Sequence, residues 1–213
     1  MPILFDRACI LCGRALSAEK QNAALCPDCA REVRTEYRYH GSFSVPDTDG
    51  AAAALCYHGK VKEALHRYKF GGKQQYAAWF AAEMAAVLAS RLDEWRPTCI
   101  TYLPLGFLRA RERGYNQAEL LARPIAETLS LPCVAALRKR PFTARQSAQQ
   151  DAAARRKNAA GSLLPGRAAV AGERVVVVDD IVTTGSTAAE AAHVLRSMGA
   201  ACVFVLATAK SDR

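Results

Sequence analysis

The chain has 213 residues, 51% of them hydrophobic, enough for one sizeable core plus a small satellite module and against disorder as the default state. Lys and Arg outnumber Asp and Glu by 29 to 20, a formal net charge of +9 that favours a polyanionic substrate or partner. No apolar run reaches the length of a membrane helix, and Met1 to Phe5 is too short and lacks the basic start of a signal peptide, so no membrane insertion and a cytoplasmic location are expected.

Cys9, Cys12, Cys26 and Cys29 form C-x2-C-x13-C-x2-C. Two close pairs joined by a short loop offer four thiolates to a tetrahedral ion, with Zn2+ expected, and such an ion would stabilise a segment too small for its own core. A disulfide pair or a redox C-x-x-C is the competing reading, but a cytosolic chain seldom keeps structural disulfides. Cys56, Cys99, Cys133 and Cys202 lie among apolar residues and read as core, while His40, His58, His66 and His193 lack ligand spacing and read as surface.

Ser42 to Gly50, with Pro46, Asp47 and Gly50, is the natural boundary, giving a module over 1–40 and a main domain over 41–213. Ala51 to Tyr57 reads as a strand. Val61, Leu65 and Tyr68 share a helical face ending near Phe70-Gly71-Gly72, and Ala77 to Leu92 reads as a second helix. Lys69 at the first helix's end either complements the dipole or reaches a ligand.

Cys99 to Leu103 reads as the next strand, followed by a loop carrying Arg109, Arg111 and Arg113. Guanidinium groups grip phosphate oxygens bidentately, so Arg109 and Arg113 are candidates for holding a diphosphate; a solvated basic turn is the plainer reading. Asn116 and Glu119 stand in capping-box relation, and Pro124 is expected to kink or split the helix they begin. Arg138 to Lys157 then holds seven basic residues against one acid, Asp151.

Val175 to Val178 reads as a strand buried on both faces that stops at Asp179 and Asp180. Thr183, Thr184, Gly185, Ser186 and Thr187 follow, then a helical pattern from Ala188 to Met198, with Thr187 and Glu190 as its expected capping box and Gly199 as its end. Strand, small-residue loop and helix N-terminus together form an anion site suited to a phosphate. The two carboxylates would repel phosphate, so they suit a sugar's vicinal hydroxyls or, indirectly, its metal. Neither G-x-x-x-x-G-K-[ST] nor G-x-G-x-x-G is present. Cys202 to Ala207 supplies a last strand.

The stretch from Glu173 to Thr187 resembles the signature of type I phosphoribosyltransferases, which bind 5-phosphoribosyl-1-diphosphate (PRPP) with Mg2+. The resemblance implies an α/β fold with a parallel sheet flanked by helices, ribose hydroxyls on Asp179 and Asp180, and the 5'-phosphate on Thr183 to Thr187. Leu103-Pro-Leu, the arginines, Arg113-Gly-Tyr-Asn-Gln-Ala-Glu-Leu-Leu121, Tyr57 and Lys69-Phe70-Gly71 are similar to the ComF family, competence-associated proteins with an N-terminal four-cysteine zinc module. Thr143, Gln146, Arg155 and Asn158 resemble that family's T-x-x-Q and R-x-x-N elements, one residue further apart than expected. They fall in or beside a mobile flap implied over Gln146 to Lys157.

The implied activity is transfer of a phosphoribosyl group, with arginines and Mg2+ on the leaving diphosphate and no residue clearly a general base. The alternative is a non-catalytic factor that handles single-stranded DNA during natural transformation, with PRPP as regulator and other competence or recombination proteins as partners. Aromatic support for base stacking is thin, Phe142 and Tyr115 at best.

Overall fold

The computed structural model describes residues 8–16, 24–106, 111, 114–140 and 161–211. The main sheet is parallel, in the order β1 (Gly50–Cys56), β6 (Cys202–Lys210), β5 (Arg174–Val182), β2 (Cys99–Tyr102). Its centre is the valine run, in which Val175, Val176, Val177 and Val178 are each fully buried. Alternation sends Val176 and Val178 to one face and Val175 and Val177 to the other. Burying each valine contributes about 1.5–3 kcal/mol, so this strand fixes the sheet.

The Val176 face packs against α2 (Gly59–Phe70), α3 (Tyr76–Ala89) and α5 (Gln117–Thr128), through Leu65, Tyr68, Phe80, Met84, Leu121 and Ile125. A single turn, α4 (Leu92–Trp95), leads into β2. The opposite face packs against α6 (Ser186–Ser197) through Ala191, Ala192 and Leu195. A small antiparallel pair, β3 (Leu137–Lys139) with β4 (Leu163–Pro165), flanks this side and was not expected from the sequence. At the N-terminus, α1 (Pro27–Glu32) runs into a wider helical turn at Val33–Tyr37.

Three local expectations gave way to tertiary contacts. The strand does not stop at the acids: β5 runs on to Val182 because β6 is equally long and keeps pairing with it, Asp179 opposite Ala207 and Val182 opposite Lys210. The Thr187–Glu190 capping box is absent. α6 starts at Ser186 behind Gly185, and the Glu190 carboxylate instead accepts from the backbone N–H of Ser162, the N–H of Leu163 (2.8 Å) and the Ser162 hydroxyl (2.7 Å), anchoring β4. Pro124 sits inside a helix continuous from Gln117 to Thr128, held by its buried face of Leu121, Ala122, Ile125 and Ala126.

Asn116 does cap α5, accepting from Ala118 N–H at 3.1 Å, but Glu119 turns to Arg123 instead of completing the box. Of the four cysteines read as core, Cys99 is buried and Cys56, Cys133 and Cys202 are half-buried. All four histidines are exposed.

Candidate functional site

β2 ends at Tyr102, opposite Val178, so β5 carries Asp179 and Asp180 beyond its neighbour on that side. The acids therefore stand at the carboxyl end of the sheet, where open α/β sheets hold ligands. Lys69, from the last turn of α2, places its ammonium 2.9 Å from Asp180, and the two side chains are only 19% and 15% exposed. Asp179 accepts from the backbone N–H of Asp180 at 2.8 Å. Burial, reinforced by the adjacent charge of Asp180, pushes the Asp179 carboxyl up to about 8. One acid of the pair is thus matched by an ammonium while the other is held close to neutral.

The hydroxyl loop follows directly. Thr184 and Ser186 share a hydrogen bond of 2.8 Å between their hydroxyls, and Thr183, Thr184 and Thr187 are exposed. Gly185 takes φ +76° and is buried beneath Val45, whose Cγ2 would lie 3.2 Å from an added Cβ. That close approach and the left-handed backbone both select glycine. The loop ends at the N-terminus of α6, a helix of twelve residues whose first N–H groups and dipole favour an anion. The stretch 42–50 thus covers the loop from behind, with Val45 packed on Val182, Ala188 and Val205.

The last turn of α2 is fixed by the entry to α5. The Tyr68 hydroxyl donates to Gln117 C=O at 2.9 Å, the Tyr115 hydroxyl donates to Tyr68 C=O, and Gln117 Nε2 reaches Lys69 C=O at 3.5 Å. Burial, aided by the nearby charge of Asp180, raises the Tyr68 phenol well above its ordinary value, so it stays a donor. Asn116 Nδ2 donates to Leu103 C=O at 3.0 Å, tying the start of α5 to the end of β2. Leu103 and Asn116, which flank the arginine stretch in the chain, thus lie together at the carboxyl end of the sheet. Arg111 is exposed; Arg109 and Arg113, like Gln146, Arg155 and the implied flap over Gln146 to Lys157, lie outside the described residues.

Tyr68, Tyr115, Gln117, Val45 and Glu190 support this site and were missed as contributors by sequence reasoning. Tyr115 and Gln117 fall in a stretch singled out for resemblance, which was the one signal toward them. Tyr68 read as a helix-face residue, Glu190 as a cap residue, and Val45 lay in the stretch read as a boundary.

The four N-terminal thiols also come together. Cys9, Cys12, Cys26 and Cys29 place their sulfurs within 4.8 Å of one another, with Cys12 and Cys26 at 3.7 Å. A tetrahedral ion with bonds of about 2.3 Å sets its sulfurs about 3.8 Å apart, so the donor set fits Zn2+. Burial opposes ionisation of Cys9, but backbone N–H groups of Cys12, Cys26 and Leu11 outweigh it and hold the thiol down to about 7. Burial and the neighbouring thiols push Cys29 the other way. Gly13 N–H on Cys9 C=O (2.8 Å) and Ala30 N–H on Cys26 C=O (2.9 Å) close the two knuckle turns. Among the described residues this is the one such group of metal-ligating side chains, and no described helix is long and apolar enough to cross a membrane.

Residues 77–212, nearly two thirds of the chain, match the family described as the phosphoribosyl transferase domain. No curated protein matches the chain. Among solved structures it is similar to glutamine phosphoribosylpyrophosphate (PRPP) amidotransferase from B. subtilis complexed with ADP and GMP, at 21% identity and a TM-score of 0.45, over 68% of this chain and 30% of that one. It is also similar to an allosteric regulatory enzyme of purine biosynthesis, at 23% identity and a TM-score of 0.40, over 62% of this chain and 25% of that one. A purine phosphoribosyltransferase from Pyrococcus horikoshii Ot3 matches at 17% identity and a TM-score of 0.39, over 61% of this chain and 72% of that one. The chain thus spans between a quarter and a third of the two longer proteins.

Proposed function

The chain belongs to the phosphoribosyl transferase domain family, and from that premise we propose that it binds PRPP at the carboxyl end of β5 and transfers the phosphoribosyl group. The observation that carries this reading is the junction of Asp179, Asp180 and Lys69 with the hydroxyl loop at the N-terminus of α6. The 5'-phosphate sits on the loop's N–H and hydroxyl donors from Thr183 to Thr187. The acids accept the ribose 2- and 3-hydroxyls, and Lys69 offsets the charge that would otherwise repel a polyanion.

As the bond from the anomeric carbon to diphosphate breaks, positive charge grows on the sugar beside the acids and negative charge grows on the leaving oxygens. Arg109 and Arg113 would meet those oxygens, in a loop whose base is closed by Asn116 on Leu103. Mg2+ bound with PRPP would supply further neutralisation of the diphosphate. Gln146 and Arg155 would close over the sugar.

On this reading the chain is a ComF-type protein, with residues 1–40 a structural zinc module, 41–213 the transferase-like domain, and a cytoplasmic location. A role in DNA uptake, with single-stranded DNA and competence or recombination proteins as partners, rests on the resemblance and on the exposed Arg138 and Arg140 beside the basic segment. Tyr115, one of two aromatics considered for base stacking, packs on Tyr68 and bonds its backbone. That arrangement favours the sugar-phosphate reading over the DNA reading.

The test is to incubate the protein with PRPP, Mg2+ and a panel of bases and amines and to assay pyrophosphate. Acceptor-dependent release, lost in Asp179→Asn, is the expected result; no release with any acceptor would confine the protein to binding.

A further inference from the structure

We propose that Arg67 is a positioning residue that couples the four-cysteine knuckle to the Lys69–Asp180 pair, so that metal loading of the knuckle governs the charge balance of the sugar site. Only its ligand-binding consequence rests on the PRPP reading.

Arg67 and Lys69 are two residues apart on α2 and therefore project to nearly opposite sides of the helix. On one side, Arg67 Nη2 donates to the carbonyls of Ile10 and Leu11, both at 2.8 Å. Those carbonyls belong to the turn between Cys9 and Cys12, whose shape depends on the two thiols being held together. On the other side, Lys69 reaches Asp180 at 2.9 Å. Between them Tyr68 is fully buried, so the last turn is a rigid spacer with the knuckle on one side and β5 on the other.

The same module grips the start of α2. Lys60 places its ammonium 2.7 Å from the Glu32 carboxylate, and its N–H approaches the Tyr37 hydroxyl at 3.4 Å. Ile10, Leu11, Cys9, Cys26 and Cys29 are buried in one cluster with Val61, Leu65 and Tyr68. Knuckle and helix thus share one buried core.

Opening the knuckle deprives Arg67 of two acceptors at once. The final turn of α2 then keeps its bonds with Tyr115 and Gln117 but loses its tie to the knuckle, and Lys69 leaves Asp180 for solvent. The acids are left without their ammonium, which disfavours a polyanionic sugar phosphate. Agents that strip the metal or oxidise the thiols would act on the sugar site through this helix.

Lys69 can be read out without any ligand. Its reactivity toward an amine-acylating reagent, measured by peptide mass spectrometry, is compared with that of Lys62, an exposed lysine on the same helix. In the metal-loaded wild-type protein Lys69 should react about tenfold more slowly than Lys62, as expected of a buried ion-paired amine. In Arg67→Ala with its metal content verified, and in the chelated wild-type protein, Lys69 should approach Lys62. Arg67→Lys, which can still donate to the same carbonyls, should restore most of the protection. Leu88→Ala, a core truncation in α3, should lower the melting temperature and leave Lys69 protected.

Unchanged Lys69 labelling in metal-loaded Arg67→Ala would overturn the proposal. So would equal exposure of Lys69 in Leu88→Ala, which would make the effect one of general loosening. In parallel, PRPP affinity should fall about tenfold in Arg67→Ala, the worth of one charge-assisted contact. A wild-type protein that binds no PRPP refutes the proposed function, while the labelling result still decides the coupling.

Discussion

At the knuckle, four thiols from two C-x2-C pairs face one another, three of them buried in a cluster shared with α2. At the end of β5, two acids and a hydroxyl loop sit on a strand whose four valines are wholly buried, paired along those valines by β2 and along nearly its full length by β6. The first region takes its shape from the ion it would bind; the second has its shape before any ligand arrives. Metal at the knuckle would therefore be folding energy, whereas a ligand at β5 would meet a preorganised surface and relieve a charge conflict already present there.

Removing a thiol breaks the comparison most severely. Cys26→Ser should abolish stoichiometric zinc and destabilise the protein by about 5 kcal/mol or more, measured by metal analysis and thermal unfolding. Full zinc content in that variant would mean that the knuckle is not a four-thiolate site. On the preorganised side, Gly185→Ala should cost about 2 kcal/mol, since it forces a side chain into the left-handed region and against Val45. Its chemical denaturation midpoint should drop while zinc content stays unchanged.

The smallest effect concerns Asp179. Its folded carboxyl is raised to about 8 by burial and by the charge of Asp180, so the folded protein holds a proton that the unfolded chain releases near pH 4. That contribution to stability is fully present below about pH 4 and is lost as pH rises through about 8. Asp179→Asn should therefore raise the melting temperature modestly at pH 9 relative to wild type and by clearly less at pH 6, where only part of that contribution has been lost. An equal effect at both pH values would show that the acids are not in conflict.

The two regions were unequally legible in the sequence. The thiol cluster follows from spacing alone, because its ligands are close in the chain. The valine run, the acids and the hydroxyl loop were also legible, since strand burial and loop chemistry are written in consecutive residues. What could not be seen was everything that distant elements impose. Glu190 stood in capping position but found the unpaired N–H groups of Ser162 and Leu163. Pro124 was expected to interrupt a helix that packing carries through it. Lys69 was read as complementing the helix dipole or reaching a ligand, but its partner Asp180 could not be named, since that residue lies on another element and is brought near by the Tyr68–Gln117 and Tyr115–Tyr68 bonds. Val45 lay in a stretch read as a boundary, yet it backs the loop that Gly185 turns.

The central claim is that the acids and the hydroxyl loop together hold a phosphorylated ribose, and titration calorimetry with PRPP and Mg2+ tests it most directly. Wild-type protein should bind one equivalent, and Asp179→Asn with Asp180→Asn should bind about 100-fold more weakly, the loss expected from one charge-assisted and one neutral hydrogen bond. The same affinity in both proteins, or no heat of binding in the wild type, would contradict the account.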